Sequence, residues 1–299
     1  MSDEFVQPNG NTSQAVVTTQ SRRPSNLWLI IVAALFIIVP FLTWYLTWFG
    51  RALSDEKIAE YLADENHPRN IQHALTQIEA RMEKNDASVK KFYPRIVELT
   101  KNSNGEVRKT VAWVMGQDNT SEDFHRALLT LLSDSEPLVR RNAALQLVRF
   151  ADGNGHRDAS GRPELRAMLQ PFEAKSPIGG TLVSLLPIGS EVPAGSLLAR
   201  IRDTSGNVQE FRAPVDGKIS AAGTTGASAV KEGDTVAVNQ TIAWLTPHRA
   251  TILAALRGLA YVGTNEDLPI VESCAQVDAS ADIAQEAART TKAISDRRE

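Results

Sequence analysis

Apolar positions recur along this chain in three rhythms, and each gives way abruptly to the next. Leu27 to Phe49 runs LWLIIVAALFIIVPFLTWYLTWF without a charge. Such a run predicts a membrane-spanning helix, because at helical rise it covers about 34 Å, slightly more than a bilayer core. Trp28 stands at one end and Trp44, Tyr45, Trp48 and Phe49 at the other, where interfacial aromatics belong. Pro40 is a kink that membrane helices tolerate. From Leu53 to about Phe172 the spacing is that of amphipathic helices: Ile71, Leu75, Ile78 and Met82 share one face, and Val89 to Leu99 repeats the pattern around Pro94. Between residues 174 and 248 Gly, Pro, Val and Ile alternate in short runs that predict strands joined by turns. After His248 helical spacing returns, with Leu256, Leu259 and Val262 as a stripe. Glu266 and Asp267 open a second helix there, and a last one runs from Ala281 to about Ser295.

The helical region repeats itself. Shifted by 32 residues, Val107-Arg108 falls on Val139-Arg140, Ala112 on Ala144 and Met115 on Leu147. GEVRKTVAWVMG (105–116) and PLVRRNAALQLV (137–148) thereby resemble HEAT repeats in their short form, and FYPRIVEL (92–99) is similar to that family's proline-containing first helix. FHRALLTLL (124–132) and PELRAMLQPF (163–172) supply the second helices, and TILAALRGLAYVGTNEDLPIVESCA (251–275) resembles one more unit. The resemblance implies stacked helix pairs with a continuous core. It also implies an Asp/Arg ladder through Asp134 and Arg140, left incomplete where Asn102 precedes Arg108.

The strand region has its own repeat. Pro177-Ile178-Gly179-Gly180-Thr181-Leu182 matches Pro214-Val215-Asp216-Gly217-Lys218-Ile219 at a shift of 37. Gly189–Val192 and Leu198–Ile201 match Gly233–Val236 and Ile242–Leu245 at a shift of 44, with the seven extra residues near 221–229. The stretch FRAPVDGKIS…VKEGDTVAVNQTIAWL resembles the second half of a biotinyl/lipoyl domain, and the preceding half completes it. That resemblance implies a small two-fold β-barrel or sandwich, and a modification lysine at the hairpin tip between the halves. Here the tip holds Ser205, Gly206 and Asn207, none of which has a primary amine, and no lysine occurs between Lys175 and Lys218. No cofactor is therefore expected.

Charge and composition narrow the function. Among 299 residues, 32 Lys+Arg stand against 35 Asp+Glu, a net charge of −3 that argues against nucleic acid. Cys274 is the one cysteine, so no intramolecular disulfide or cysteine-based metal site exists, and its place on an apolar stripe predicts a packed small hydrophobe. The histidines 67, 73, 125, 156 and 248 show no metal-ligand spacing, with His67 and His73 expected on a solvated helix face. Arg140-Arg141 and Arg297-Arg298 are candidates to meet anionic lipid or a partner. No catalytic or metal site is identified.

The pattern predicts a multidomain α plus β chain: a disordered polar tail (1–26), a transmembrane helix (27–49), HEAT-like α-solenoid helices (50–173), a lipoyl/biotinyl-like β-barrel or sandwich (174–248) and C-terminal HEAT-like helices (249–299). Arg22 and Arg23 before the apolar run favour a cytoplasmic N-terminus and an extracytoplasmic head on a bacterial plasma (inner) membrane. The β-region either interrupts one helical array or stands in a linear string of domains. The expected role is non-catalytic, a scaffold or adaptor holding unidentified protein partners at the lipid bilayer. Alternatives are a periplasmic-adaptor-like subunit of an efflux or secretion system, and a biotin/lipoyl carrier-type protein.

Overall fold

The computed structural model describes residues 27–44, 52–220, 230–277 and 280–297. They belong to two units, Met1–Ala52 and Leu53–Glu299. The polar tail, Arg22 and Arg23, the aromatics Tyr45, Trp48 and Phe49, the loop 221–229 and Arg298 lie outside the described residues.

In the first unit the uncharged run forms helix α1 (Leu27–Trp44), with Pro40 inside it and the Thr43 hydroxyl donating to the Val39 carbonyl at 2.7 Å. This overturns the expected span over 27–49. No helix among the described residues is long and apolar enough to cross a membrane. The single-pass inner-membrane placement, its orientation and the bilayer as partner fall with it.

The second unit begins with helices stacked in pairs: α2 (Asp55–Ala63), α3 (Pro68–Met82), α4 (Tyr93–Glu98), α5 (Gly105–Met115), α6 (Glu122–Leu131), α7 (Pro137–Leu147) and α8 (Arg162–Ala167). Side-chain oxygens start several of them. Ser54 accepts from the Lys57 N–H, Asn104 from Glu106 and Ser121 from Phe124, satisfying amides that the first turn leaves free. Pro68 and Pro137 open α3 and α7, where the missing N–H costs nothing. The 32-residue shift superimposes α5 on α7, and Val107, Val111, Ala112 and Met115 are buried like Val139, Ala143, Ala144 and Leu147. Helices α3, α5 and α7 lie side by side.

The first apolar core runs from Ile58 to Phe150 and ends on α7. A second begins on the same helix, where Ala144 and Val148 meet Leu165, Met168 and Leu169. That core is completed by α9 (Arg249–Val262), α10 (Leu268–Val277) and α11 (Ala281–Asp296). Residues 168–248 intervene between α8 and α9, yet the two helices pack together.

The intervening chain forms eight strands: β1 (Phe172–Lys175), β2 (Gly180–Leu185), β3 (Glu191–Val192), β4 (Leu197–Arg202), β5 (Val208–Arg212), β6 (Gly217–Ser220), β7 (Thr235–Val236) and β8 (Thr241–Thr246). They make two antiparallel sheets, ordered β1-β8-β6-β3 and β5-β4-β2-β7. Advancing each strand of the first sheet by four places, cyclically, gives the second, so the sequence repeat is a repeat of topology. The glycines obey it too. A Cβ at Gly180 would lie 2.1 Å from the Arg202 carbonyl oxygen, and one at Gly217 would lie 2.8 Å from that of Thr246, the position 44 residues on. At both crossings the neighbouring backbone leaves no room for a side chain.

The expected closed barrel does not form. Each sheet is open, and the edge strands β3 and β7 are two residues long, too short to carry a ladder round to the other sheet. The fold is therefore mixed helix and sheet, with eleven α-helices and two open antiparallel sheets among the described residues. Ala174, Val192, Leu198, Ile219 and Leu245 fill one small core of the β-region, and Leu182, Ile201, Val236 and Ile242 another.

The junction of α7 with α8 depends on close approach. A Cβ on Gly161 would sit 2.7 Å from the Ala144 Cα and 2.9 Å from its carbonyl oxygen, backbone atoms that cannot swing aside. Gly161→Ala is expected to lower stability by about 1–3 kcal/mol through this overpacking. Urea denaturation followed by circular dichroism measures it, and an unchanged midpoint would contradict the close packing.

Candidate functional site

A chain of ionic contacts runs along the loops that start successive helices. Asn102 accepts from the Asn104 N–H at 2.9 Å, and 32 residues later Asp134 accepts from the Glu136 N–H at 2.8 Å. Arg108 donates to the Asn102 carbonyl, and Arg140 to that of Asp134, both at 2.8 Å. The expected gap at Asn102 is filled from the other side. Arg108 reaches forward to grip both Asp134 oxygens, at 2.7 and 2.8 Å, in the bidentate geometry that suits a guanidinium. Arg140 reaches forward too, with a single hydrogen bond from its Nε to Glu164 at 3.3 Å. Arg162 then crosses to the C-terminal helices, donating to Asp267 and Glu266 at 2.7 Å each.

Burial pushes the Asp134 carboxyl up, but hydrogen bonds from Arg108 and the Glu136 N–H outweigh it and hold the group below its ordinary value. The hydrogen bond to Asp134 in turn raises the Arg108 guanidinium further above its usual range.

The face of α5, α7 and α9 that carries no cap holds a groove of about 470 Å³. Trp113 and Tyr261, 44% and 59% exposed, line it together with Leu145. Trp113 is held by its indole N–H donating to Glu79 at 2.5 Å. Arg149 donates to the Gln117 amide oxygen at 3.0 Å, Arg157 to the Arg149 carbonyl at 2.7 Å, and the Arg157 guanidinium lies 5.7 Å from the Tyr261 ring centre.

A second cleft adjoins it, about 720 Å³, between the start of α6 and the hairpin after α7. His125 bonds Asp158 there and stacks on Phe150 at 5.1 Å between ring centres. Burial raises the Asp158 carboxyl, but hydrogen bonds from His125 and Ser160 prevail and hold it low. His156 meets Asp152 at 3.2 Å. Among the described residues no group of three or more His, Cys, Asp or Glu side chains could hold a metal ion.

The hairpin tip singled out from the sequence joins β4 to β5. Asp203 closes it, accepting from the Ser205 and Asn207 N–H groups at 2.9 Å each, while Gly206 takes φ +89°. Ser205, Gly206 and Asn207 are exposed. They stand apart from both clefts, neither of which they line. The described residues of the arginine pairs, Arg140, Arg141 and Arg297, are each engaged within the fold. Arg140 is in the ladder, and Arg141 is buried 5.9 Å from the Phe172 ring centre with its Nε unpartnered. Arg297 caps carbonyls at the end of α9, including that of Gly263 at 2.7 Å. His67 is exposed and bonded to Asp64, and Cys274 lies in the second core, where burial raises its thiol.

Sequence reading missed the groove. Its one available signal was Trp113, an exposed aromatic set one place from the buried Ala112, with Leu145 in the same place 32 residues on.

Residues 126–153, from α6 through α7 into the following hairpin, match the HEAT repeat family model. No curated protein matches the chain.

The repeat supplies its own control for the ladder. Asn102 shows that an asparagine can cap this loop, so Asp134→Asn removes the ion pair while keeping the turn. It is expected to cost roughly 2–3 kcal/mol at pH 7, because it leaves Arg108 largely buried and unpaired. Asp134 has a folded pKa below its unfolded value, so its contribution is present above about pH 4 and is lost as pH falls through the folded pKa. Urea denaturation between pH 7 and pH 3 should show the variant losing less stability than the parent on acidification. Parallel pH profiles would refute the assignment.

Proposed function

We propose that this protein is a non-catalytic scaffold that holds partner proteins on its helical array, with the β-region as an unmodified lipoyl-like docking module. The observation that carries the reading is the HEAT repeat match at residues 126–153, which coincides with the central helices of the stacked array. HEAT arrays serve such roles because each stacked helix pair adds surface without altering the fold. The ladder from Arg108 to Glu164 holds neighbouring pairs in register, so the surface they present is rigid.

Two features support the reading of the β-region. Its sheets are related strand for strand by the sequence repeat, as a duplicated half-module requires. Its hairpin tip carries hydroxyl, glycine and amide groups where covalent carriage needs an amine. The turn between β4 and β5 spans only residues 203–207, with no room for the coiled-coil insertion of an efflux adaptor.

Purification of the full chain from its native host under mild conditions, with mass spectrometry of both the chain and its companions, tests the proposal. The expected result is an unmodified intact mass for the β-region and partner proteins in near-equal amounts. A biotinyl or lipoyl adduct on a lysine of residues 172–246, or the absence of any stable companion, would overturn it.

A further inference from the structure

The groove on α5, α7 and α9 has a chemistry that the scaffold reading leaves unspecified. Trp113, Tyr261 and Leu145 line it together, the combination of large aromatics and apolar surface that concentrates binding energy at interfaces. Three arginines line it, and their partners differ. Arg257 has Glu286 at 3.6 Å. Arg149 and Arg157 have only neutral acceptors, the Gln117 and Gln146 amides and a backbone carbonyl, and no carboxylate pairs with either among the described residues. Most other arginines of the array are matched to carboxylates: Arg81 to Asp55 and Asp86, Arg95 to Glu65 and Glu98, Arg108 to Asp134 and Arg162 to Asp267. The groove is thus the place where two guanidiniums face an exposed aromatic-lined surface without counter-charge.

We propose that this groove binds an extended acidic segment of a partner protein, one apolar side chain entering between Trp113 and Tyr261 while its carboxylates pair with Arg149 and Arg157. The inference rests on the scaffold reading and names the partner's chemistry. A guanidinium offers parallel N–H groups to a carboxylate, so each arginine can take one acidic side chain bidentately. Arg157, already resting on Tyr261, brings the charge beside the apolar seat. The groove volume of about 470 Å³ suits one large side chain and its neighbours, not a folded domain.

Fluorescence anisotropy of the full chain tests it with three labelled probes: a peptide of about ten residues alternating Glu and Leu, its Lys/Leu counterpart, and an oligothymidylate of equal charge. The acidic peptide is expected to bind at least about tenfold more tightly than either other probe, and to weaken as salt rises. The double variant Arg149→Glu/Arg157→Glu should weaken it about tenfold or more, and Tyr261→Ala several-fold. These side chains are exposed, and an unchanged thermal melt verifies the fold. If the charge-reversed chain is unstable, Arg157→Gln with Tyr261→Ala gives the same reading. Equal binding of both peptides, tighter binding of the oligonucleotide, or wild-type affinity in the variants would overturn the inference. Partners that co-purify equally with the parent and the double variant would sink the groove and leave the scaffold standing. Peptide binding without any native companion would do the reverse.

Discussion

The second unit depends on one carboxylate. Asp267 is 0% exposed, and its Oδ2 receives Arg162 at 2.7 Å and the Thr264 N–H at 2.8 Å. One acid therefore caps the 3-10 turn, Asn265–Asp267, that leads into α10 and closes an ion pair across 105 positions of sequence. A buried charge pair of this kind contributes little net stability against an apolar alternative, yet losing one partner is severe, because the other is left desolvated. Its consequence is specificity. Leu165, Met168 and Leu169 could pack against many apolar surfaces, but Arg162 on the same short helix finds its partner only when α9 and α10 arrive in one register. The β-region can interrupt the array because the two sides of the interruption recognise each other by charge as well as by shape.

Helix α7 distributes the load in three directions. Val139, Ala143 and Leu147 close the first core, Ala144 and Val148 open the second, and Leu138 packs on the β-region. Arg141 adds a contact that costs free energy by itself, a guanidinium buried beside the Phe172 ring with one N–H unpartnered. Glu164, 3.9 Å away, and the Phe172 ring offset part of that cost. His248 with Glu191, and Thr251 with Asp216, tie the far end of the β-region to α9. The module is held at both ends of its insertion, so its orientation on the helices is determined.

What could be read from the sequence was what repeats. The 32-residue period located α5 and α7, and the 37- and 44-residue shifts located β2, β4, β6 and β8, because burial imposes the same residue types at equivalent places. Elements set by distant partners were harder. The run 163–172 has helical spacing, yet α8 stops at Ala167 and Phe172 begins β1, since pairing with Leu245 of β8 overrides local preference. Of the apolar run read as 27–49, residues 27–44 are described and form one helix. Arg140 and Arg141 look alike in a sequence. One residue of rotation about α7 sends the first to the ladder and the second under the β-region.

The groove shows why a site of this kind escapes pattern reading while remaining a direct product of the fold. Trp113 and Tyr261 belong to two helices, Arg149 to the turn after α7 and Arg157 to a hairpin, so no spacing connects them. They converge because the array repeats. The position one residue past each buried alanine, Ala112 in α5 and Ala144 in α7, points out of the same face, and stacking sets Trp113 beside Leu145. The register that the second apolar core and the Arg108 and Arg162 pairs enforce keeps α9, and hence Tyr261, on the groove that Trp113 lines. The ionic ladder on one edge of the helices and the uncompensated arginines on their open face are thus linked. The first spends its charges on fixing neighbours, and the fixed neighbours leave Arg149 and Arg157 with charge to offer.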